Sequence, residues 1–152
     1  MNKLTTLAKK LTKPSIMITS IGAFLLLVIL TNSLFKPTFS YLTQTFHYTP
    51  EDAYFLISYI GDFGRKTHLF VFISDILMVL FYTIFLAGAN YKVYHQWLKL
   101  PKLLSLILFS PFALAIIQLS EVIGLTALIL HYPTKFYGLA RLTDTLTILK
   151  YN

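Results

Sequence analysis

The sequence contains no cysteine and few charged residues. Without cysteine the chain can form no disulfide, no zinc–thiolate site and no thiol nucleophile. Only 12% of its 152 residues are charged and 56% are apolar, whereas about 25% of a soluble domain is charged. This composition predicts an all-α integral membrane protein with one domain, residues 1–152, which is too short for more than three or four spans.

Acidic residues are scarce as well, with six Asp and Glu against 13 Lys and Arg, which gives a net charge of +7. Such a charge first suggests nucleic acid as a partner. The cations, however, stand at the ends of apolar runs, where anionic lipid headgroups lie. The predicted partner is therefore the lipid bilayer, with a second copy or another membrane protein as a further possibility, and no nucleic acid.

The chain is organised around an apolar run at residues 69–89, which contains one charge, Asp75. At 1.5 Å per residue, a helix of that length is about 30 Å long and matches the hydrocarbon core of a bilayer. It predicts a transmembrane helix over 67–89. A carboxylate in that position costs a few kcal/mol on insertion scales, so Asp75 requires a partner or a proton.

Two more apolar runs predict transmembrane helices over 16–35 and 103–130, the second with a kink at Pro111. A basic, amphipathic lead-in over 1–15 precedes the first. A basic head and an apolar run are also typical of a secretory signal peptide. The length of the run and the lack of an A-x-A site favour a retained anchor.

The connection over 36–66 is predicted to be an outer loop with a short helix over 50–60. Thr49 can cap this helix, and Pro50 suits its first position. The outer-face motif that follows contains Gly61, Asp62, Gly64 and Arg65. It lacks the lysine and the strand context of a phosphate loop, so it predicts a turn between two helices.

A fourth, short helix is predicted over 136–150, with a stripe of leucines at coiled-coil spacing, Leu139, Leu142, Leu146 and Leu149. About 14 helical residues reach only about 21 Å. The helix therefore either packs as a half-span on the others or lies at the surface. Lysines in 1–15 and in the connection 90–102 predict that both are cytoplasmic, which places the N-terminus inside.

With this orientation, Asp75 and Glu121 both lie about 15 Å below the outer face. Arg141 and Asp144 would lie a few ångströms shallower, on the last helix. We predict a buried polar cluster in which the guanidinium meets the two acids, with Tyr82 and Gln118 on the same polar seam, as follows: Asp75, Tyr82, Gln118, Glu121, Arg141 and Asp144.

Three functions are compatible with this cluster. The first is structural, in which polar side chains hold helices together or support the interaction with a membrane partner. The second is a proton- or cation-coupled carrier of a small solute, or a subunit of one. The third, an enzyme acting on lipid, is the least favoured. No metal-ligand spacing and no cofactor motif is present, and His68, at the membrane interface, is expected to be an exposed surface residue.

Several short motifs resemble those of small bacterial four-helix membrane proteins of unknown function. They are Gly61-Asp62-Phe63-Gly64-Arg65-Lys66, Asp75 with Tyr82 and Phe85, and Leu139-Ala140-Arg141-Leu142 with Thr147 and Lys150. The motif around Glu121 keeps the glutamate and lacks the flanking Asp and Asn of that pattern. The resemblance implies a four-helix bundle in a bacterial cell membrane and implies no substrate.

Overall fold

The structure, a computed structural model, describes residues 3–34, 47–94 and 101–151. Within these ranges the chain forms helices and no strand, so the predicted all-α class is confirmed. In chain order the helices are α1 (Lys3–Leu11), α2 (Pro14–Leu34), α3 (Pro50–Tyr59), α4 (Gly61–Val93), α5 (Pro101–Leu130) and α6 (Tyr137–Tyr151). Residues 36–46 of the predicted outer loop and residues 95–100 of the connection 90–102 lie outside the described residues.

Three of the described helices are long and apolar enough to cross a membrane, over Pro14–Ser33, Gly61–Val93 and Leu106–Leu130. The chain is therefore a membrane protein with three candidate spans, as the sequence predicts. At 33 residues α4 is about 50 Å long, so it exceeds the hydrocarbon thickness. Its polar ends, with Arg65 and Lys66 at one and Lys92 at the other, extend the helix beyond the apolar run. By contrast, the 15 residues of α6 reach only about 22 Å and cannot span.

Local signals in the sequence explain where α3 begins and ends. The backbone N–H of Thr49 donates to Asp52 Oδ2 (2.9 Å), and Asp52 N–H donates to Thr49 Oγ1 (3.2 Å), which is a complete capping box with Pro50 in the first turn. Gly61 follows with a φ of +64°, in the left-handed region that glycine adopts without strain. Gly61 is also the first residue of α4, so the predicted turn is limited to the junction at Ile60, and Asp62, Gly64 and Arg65 are helical.

Pro111 lies inside α5, and a residue of another helix compensates for its missing N–H. Proline at this position cannot donate to the carbonyl four residues earlier, that of Ile107. Asn90 Nδ2 of α4 donates to that oxygen at 3.1 Å, and Ser110 Oγ donates to it at 3.0 Å. A carbonyl left exposed in hydrocarbon would be costly, so these donors allow α5 to continue through the proline.

The chain folds as two compact units, and each of the three long helices contributes a part to both. Unit 1 comprises Met1–Ile29 and Leu77–Ile116, and its buried cluster is Ala8, Tyr91 and Leu108. Gly88 allows close packing in this unit, because a Cβ there would lie 2.7 Å from the backbone oxygen of Leu11.

Unit 2 comprises Leu30–Ile76 and Ile117–Asn152. Its core joins α3, α5 and α6 through the following buried side chains: Tyr48, Ala53, Tyr54, Ile57, Leu125, Leu128, Ile129 and Ala140. The backbone N–H of Phe136 donates to the hydroxyl of Tyr54, and the rings of Tyr54 and Tyr137 meet edge to face at 5.9 Å. These contacts hold the start of α6 against α3.

Candidate functional site

The short helix α6 turns a polar stripe toward the rest of unit 2. Its buried residues are Ala140, Thr143, Asp144 and Thr147, at the spacing of one helix face. Two leucines of the predicted stripe, Leu142 and Leu149, face away and are 55% and 56% exposed. Leu139, by contrast, is partly buried and packs against the core of unit 2. Lipid tails are as apolar as leucine, so in a bilayer the polar groups are the ones that gain from contact with protein.

Glu121 is the most deeply buried acid in the described structure, with 0% exposure. Both of its carboxylate oxygens have partners on α6. Thr147 Oγ1 donates to Oε1 at 2.6 Å, and Lys150 Nζ donates to Oε2 at 2.7 Å. The carboxylate is thus both ion-paired and hydrogen-bonded, which is the condition for a buried charge to be tolerated.

Asp75 belongs to the same group of charges. Its side chain is half-buried, and the charges of Lys150 and Glu121 act on it. The ammonium of Lys150 pairs with Glu121, and its charge also acts on Asp75, which belongs to a different candidate span. Glu121 is paired with a cation, and that cation is Lys150 rather than Arg141.

A second set of bonds ties α6 to the residues just before α3. The backbone N–H of Tyr48 donates to Asp144 Oδ1 at 2.9 Å, and His47 Nδ1 lies 2.9 Å from Asp144 Oδ2. The Tyr48 hydroxyl donates to Thr143 Oγ1, also at 2.9 Å. Burial raises the pKa of this phenol, and the charges of Glu121 and Asp144 act in the same direction against hydrogen bonds that lower it.

These side chains together form what we call the polar network of unit 2: His47, Tyr48, Asp75, Glu121, Thr143, Asp144, Thr147 and Lys150. Close packing of α5 on α6 supports it. A Cβ added at Gly124 would lie 2.2 Å from Thr143 Cγ2, so only glycine lets α6 approach α5 this closely. Of the predicted cluster, the network contains Asp75, Glu121 and Asp144.

The other predicted members of the cluster lie elsewhere. Arg141 is exposed and forms no ion pair within the described residues, because it is rotated about 100° from Ala140 and so away from the buried face of α6. Tyr82 belongs to unit 1, where its ring meets Phe24 edge to face at 6.4 Å. Gln118 is half-buried on α5.

Arg65 of the outer-face motif stabilises the junction of α3 and α4. Arg65 pairs with Asp62, and its Nη1 donates to the carbonyl of Ile57 at 3.0 Å. Its guanidinium carbon lies 4.6 Å from the centre of the Tyr132 ring, a cation–π distance. One side chain thus joins the end of α3, the start of α4 and the turn that follows α5.

His68 differs from the expectation. It is buried, with 5% exposure, and its Nε2 lies 3.3 Å from Thr126 Oγ1 on α5. The polar partner on the neighbouring helix explains why an imidazole is tolerated there. Among the described residues, no group of three or more His, Asp or Glu side chains could hold a metal ion.

Five network residues escaped the sequence-based prediction: His47, Tyr48, Thr143, Thr147 and Lys150. A signal for three of them was present. Thr143, Asp144 and Thr147 recur at helical spacing, and Lys150 continues the same side one turn later. Such a polar stripe on a short helix beside spans that contain acids is itself a prediction of inter-helix bonding.

No protein-family model, no curated protein and no solved structure matches this chain. Its function therefore has to be inferred from its own residues and their geometry.

Proposed function

We propose that this chain is a non-enzymatic integral membrane protein in which the polar network of unit 2 anchors the short helix α6 and supports interaction with a membrane partner. The proposal rests on the bonds that the carboxylate of Glu121 forms with α6. Both of its oxygens accept bonds from α6, at 2.6 and 2.7 Å. A carboxylate whose two oxygens both accept bonds from one neighbouring helix ties that helix to its own, which is the role of an anchor.

The short helix α6 requires a polar attachment in order to stay against the other helices of unit 2. The helix is too short to span, and its apolar residues gain little by leaving lipid for protein. Breaking a buried ion pair by removing one partner costs about 3–5 kcal/mol, so the pair of Glu121 and Lys150 can hold α6 in place. The bonds of Asp144 to Tyr48 and His47 add a second attachment.

A strip of exposed aromatic side chains favours the interaction part of the proposal. Phe55, Tyr59 and Phe63 are exposed at the junction of α3 and α4, and the rings of Phe55 and Tyr59 stack at 6.4 Å. Aromatic residues are enriched where proteins meet. The partner would be a second copy of this chain or another membrane protein.

The variant Glu121→Gln tests the anchor. Its amide keeps the shape and loses the charge opposite Lys150, so we expect a clear fall in the thermal stability of the purified protein in detergent. The exposed Glu51→Gln is the matched control, for which we expect no change. A stable Glu121→Gln variant that has lost turnover of a lipid headgroup would favour an enzyme and overturn the proposal.

A second candidate, a proton- or cation-coupled carrier, rests on two acids and one ammonium whose charges act on one another. Lys150 pairs with Glu121 and also acts on Asp75, so one carboxylate is in excess, and an excess acid in a membrane can take up a proton or cation. Proteoliposomes loaded with a pH-sensitive dye would separate the candidates. The carrier requires a proton flux that Asp75→Asn abolishes, whereas the anchor requires none.

We also infer a bacterial cell membrane with the N-terminus in the cytoplasm. The lysines before α2 and after α4 support this orientation, because cytoplasmic loops are rich in lysine and arginine. The resemblance to small bacterial four-helix proteins supports the location. Cysteines introduced at Thr6 and Ser58 would be labelled from opposite sides of the membrane if the orientation is correct.

A further inference from the structure

The charges of the chain are divided unequally between the two units. All six acids belong to unit 2, together with six cations, so that unit carries no net charge. Unit 1 has no acid and seven lysines, which account for the whole net charge of +7. Those lysines are Lys3, Lys9, Lys10, Lys13, Lys92, Lys99 and Lys102. The ammonium groups of unit 1 therefore have no carboxylate within their own unit.

Packing inside unit 1 places the lysines of α1 and of its link to α2 at the same end of a candidate span as Lys92. Ala8 of α1 is buried with Tyr91 of α4. The backbone oxygen of Leu11 approaches the position of Gly88 closely. Lys9, Lys10 and Lys13 beside these contacts are therefore near Lys92, at the end of α4, and all four side chains are exposed.

The contacts of α1 also determine the level at which its lysines lie. The helix begins 11 residues before α2, and Thr12 Oγ1 donates to the carbonyl of Lys9 at 2.7 Å, which closes its last turn. Tyr91, in the last turn of α4, and Tyr94, directly after that helix, are buried, and tyrosine favours the headgroup level of a bilayer. Lysines held at that level face lipid phosphates.

We propose that the lysine surface of unit 1, formed by Lys9, Lys10, Lys13 and Lys92, binds the headgroups of anionic phospholipids. The partner is set by charge complementarity: four exposed ammonium groups at the end of a span, in a unit without a carboxylate, match phosphodiester headgroups that carry a net negative charge. A zwitterionic headgroup offers no such net charge. This surface is independent of the polar network of unit 2 and of the function proposed for it.

The test compares the melting temperature of the full chain in detergent micelles that contain either phosphatidylglycerol or phosphatidylcholine. We expect phosphatidylglycerol to raise the Tm by about 5 °C relative to phosphatidylcholine. Sodium chloride at about 0.5 M should remove the difference, since it shortens the screening length below the spacing of exposed charges.

Two charge-matched variants make the test specific. In K9Q/K10Q/K13Q the rise should fall to less than half, whereas in K66Q/K135Q/R141Q, which removes three exposed cations of unit 2, it should persist. Equal losses in both variants, or no rise in the unaltered protein, would overturn the proposal. So would an equal rise produced by inorganic phosphate in phosphatidylcholine micelles, because the site would then take the free anion. The unaltered protein in low and high salt decides the matter even if a variant fails to fold.

Discussion

The two units of this protein hold their helices together by different means. In unit 2 an acid from α5 is bonded to a hydroxyl and an ammonium of α6, and a second acid is bonded to the residues before α3. In unit 1 the described contacts include the small buried cluster of Ala8, Tyr91 and Leu108, a close backbone approach at Gly88, and one amide, Asn90, that bonds to a carbonyl. Both arrangements replace the hydrophobic effect, which provides little drive between helices surrounded by lipid.

The difference predicts which substitutions will destabilise each unit. Bonds between charges are strong and local, so unit 2 should depend on a few side chains. Steric fit depends on the absence of a side chain, so unit 1 should fail when atoms are added at Gly88, and unit 2 shares this dependence at Gly124. This contrast can be tested with substitutions that remove atoms from unit 2 and others that add atoms to unit 1.

The largest effect is expected from Lys150→Met in unit 2. It leaves the buried carboxylate of Glu121 without its ammonium, so the free energy of unfolding in detergent should fall by about 3–5 kcal/mol. Unfolding monitored by circular dichroism would measure the change. Arg141→Met is the control on the same helix, and because its side chain is exposed we expect a change of less than about 0.5 kcal/mol. Similar losses in both variants would contradict the role given to Lys150.

A smaller effect is expected from Gly88→Ala in unit 1. The new methyl group would meet the backbone oxygen of Leu11 at 2.7 Å, which cannot move as a side chain does, so the loss should be about 1–3 kcal/mol. Gly22→Ala is the matched control in the same unit, because nothing lies within 4 Å of its Cβ position. If the two alanines had equal effects on unfolding, close packing at Gly88 would not be what holds α1.

The bond of Asn90 should contribute about 1 kcal/mol, the usual value for one hydrogen bond. Asn90→Leu removes the donor to Ile107, so the protein should lose about that much stability. In the background of Pro111→Ala, a backbone N–H is again present to occupy that carbonyl, and Asn90→Leu should then cost less. A double-mutant cycle measures this coupling. Without coupling, the amide would not be compensating for the proline.

The smallest effect concerns the pH dependence of unit 2. The pKa of Tyr48 is raised above its ordinary value of 10.0 in the folded protein, so the unfolded chain loses this proton first as pH rises. Stability from this group is therefore complete below about pH 10 and is lost as pH rises toward the folded pKa. Unfolding measured from pH 8 to 11 should show a loss that Tyr48→Phe reduces. An unchanged slope in that variant would assign the pH dependence to other groups.

Much of the fold could be predicted from the sequence, because three apolar runs of spanning length and a capping box at Thr49 are strong local signals. The need of Asp75 and Glu121 for a cation could be predicted as well, from the cost of a charge in hydrocarbon. The identity of that cation could not. Arg141 and Lys150 lie on one short helix, and only its rotation decides which of them reaches Glu121.

The buried face of α6 could not be predicted from spacing alone, because its leucines recur at helical spacing, as do its threonines and Asp144. In water, the leucine side would be the one to pack inward. In lipid, the preference reverses, and Leu142 and Leu149 are exposed while Thr143 and Thr147 are buried. His68 was misjudged for a related reason, since its partner Thr126 lies 58 positions away in the sequence and no local pattern joins the two.

The bond between Glu121 and Lys150 also affects the insertion of the chain during its synthesis. The two residues are 29 positions apart, so at 5–20 residues per second a ribosome needs about 1.5–6 s to add the lysine after the glutamate. During that interval α5 carries an acid that has not yet met its counter-ion, and we expect the nascent helix to be retained beside the insertion machinery rather than released into lipid. Arrest-peptide force measurements on chains of increasing length would then show a late pull once Lys150 emerges, and Lys150→Met would abolish it.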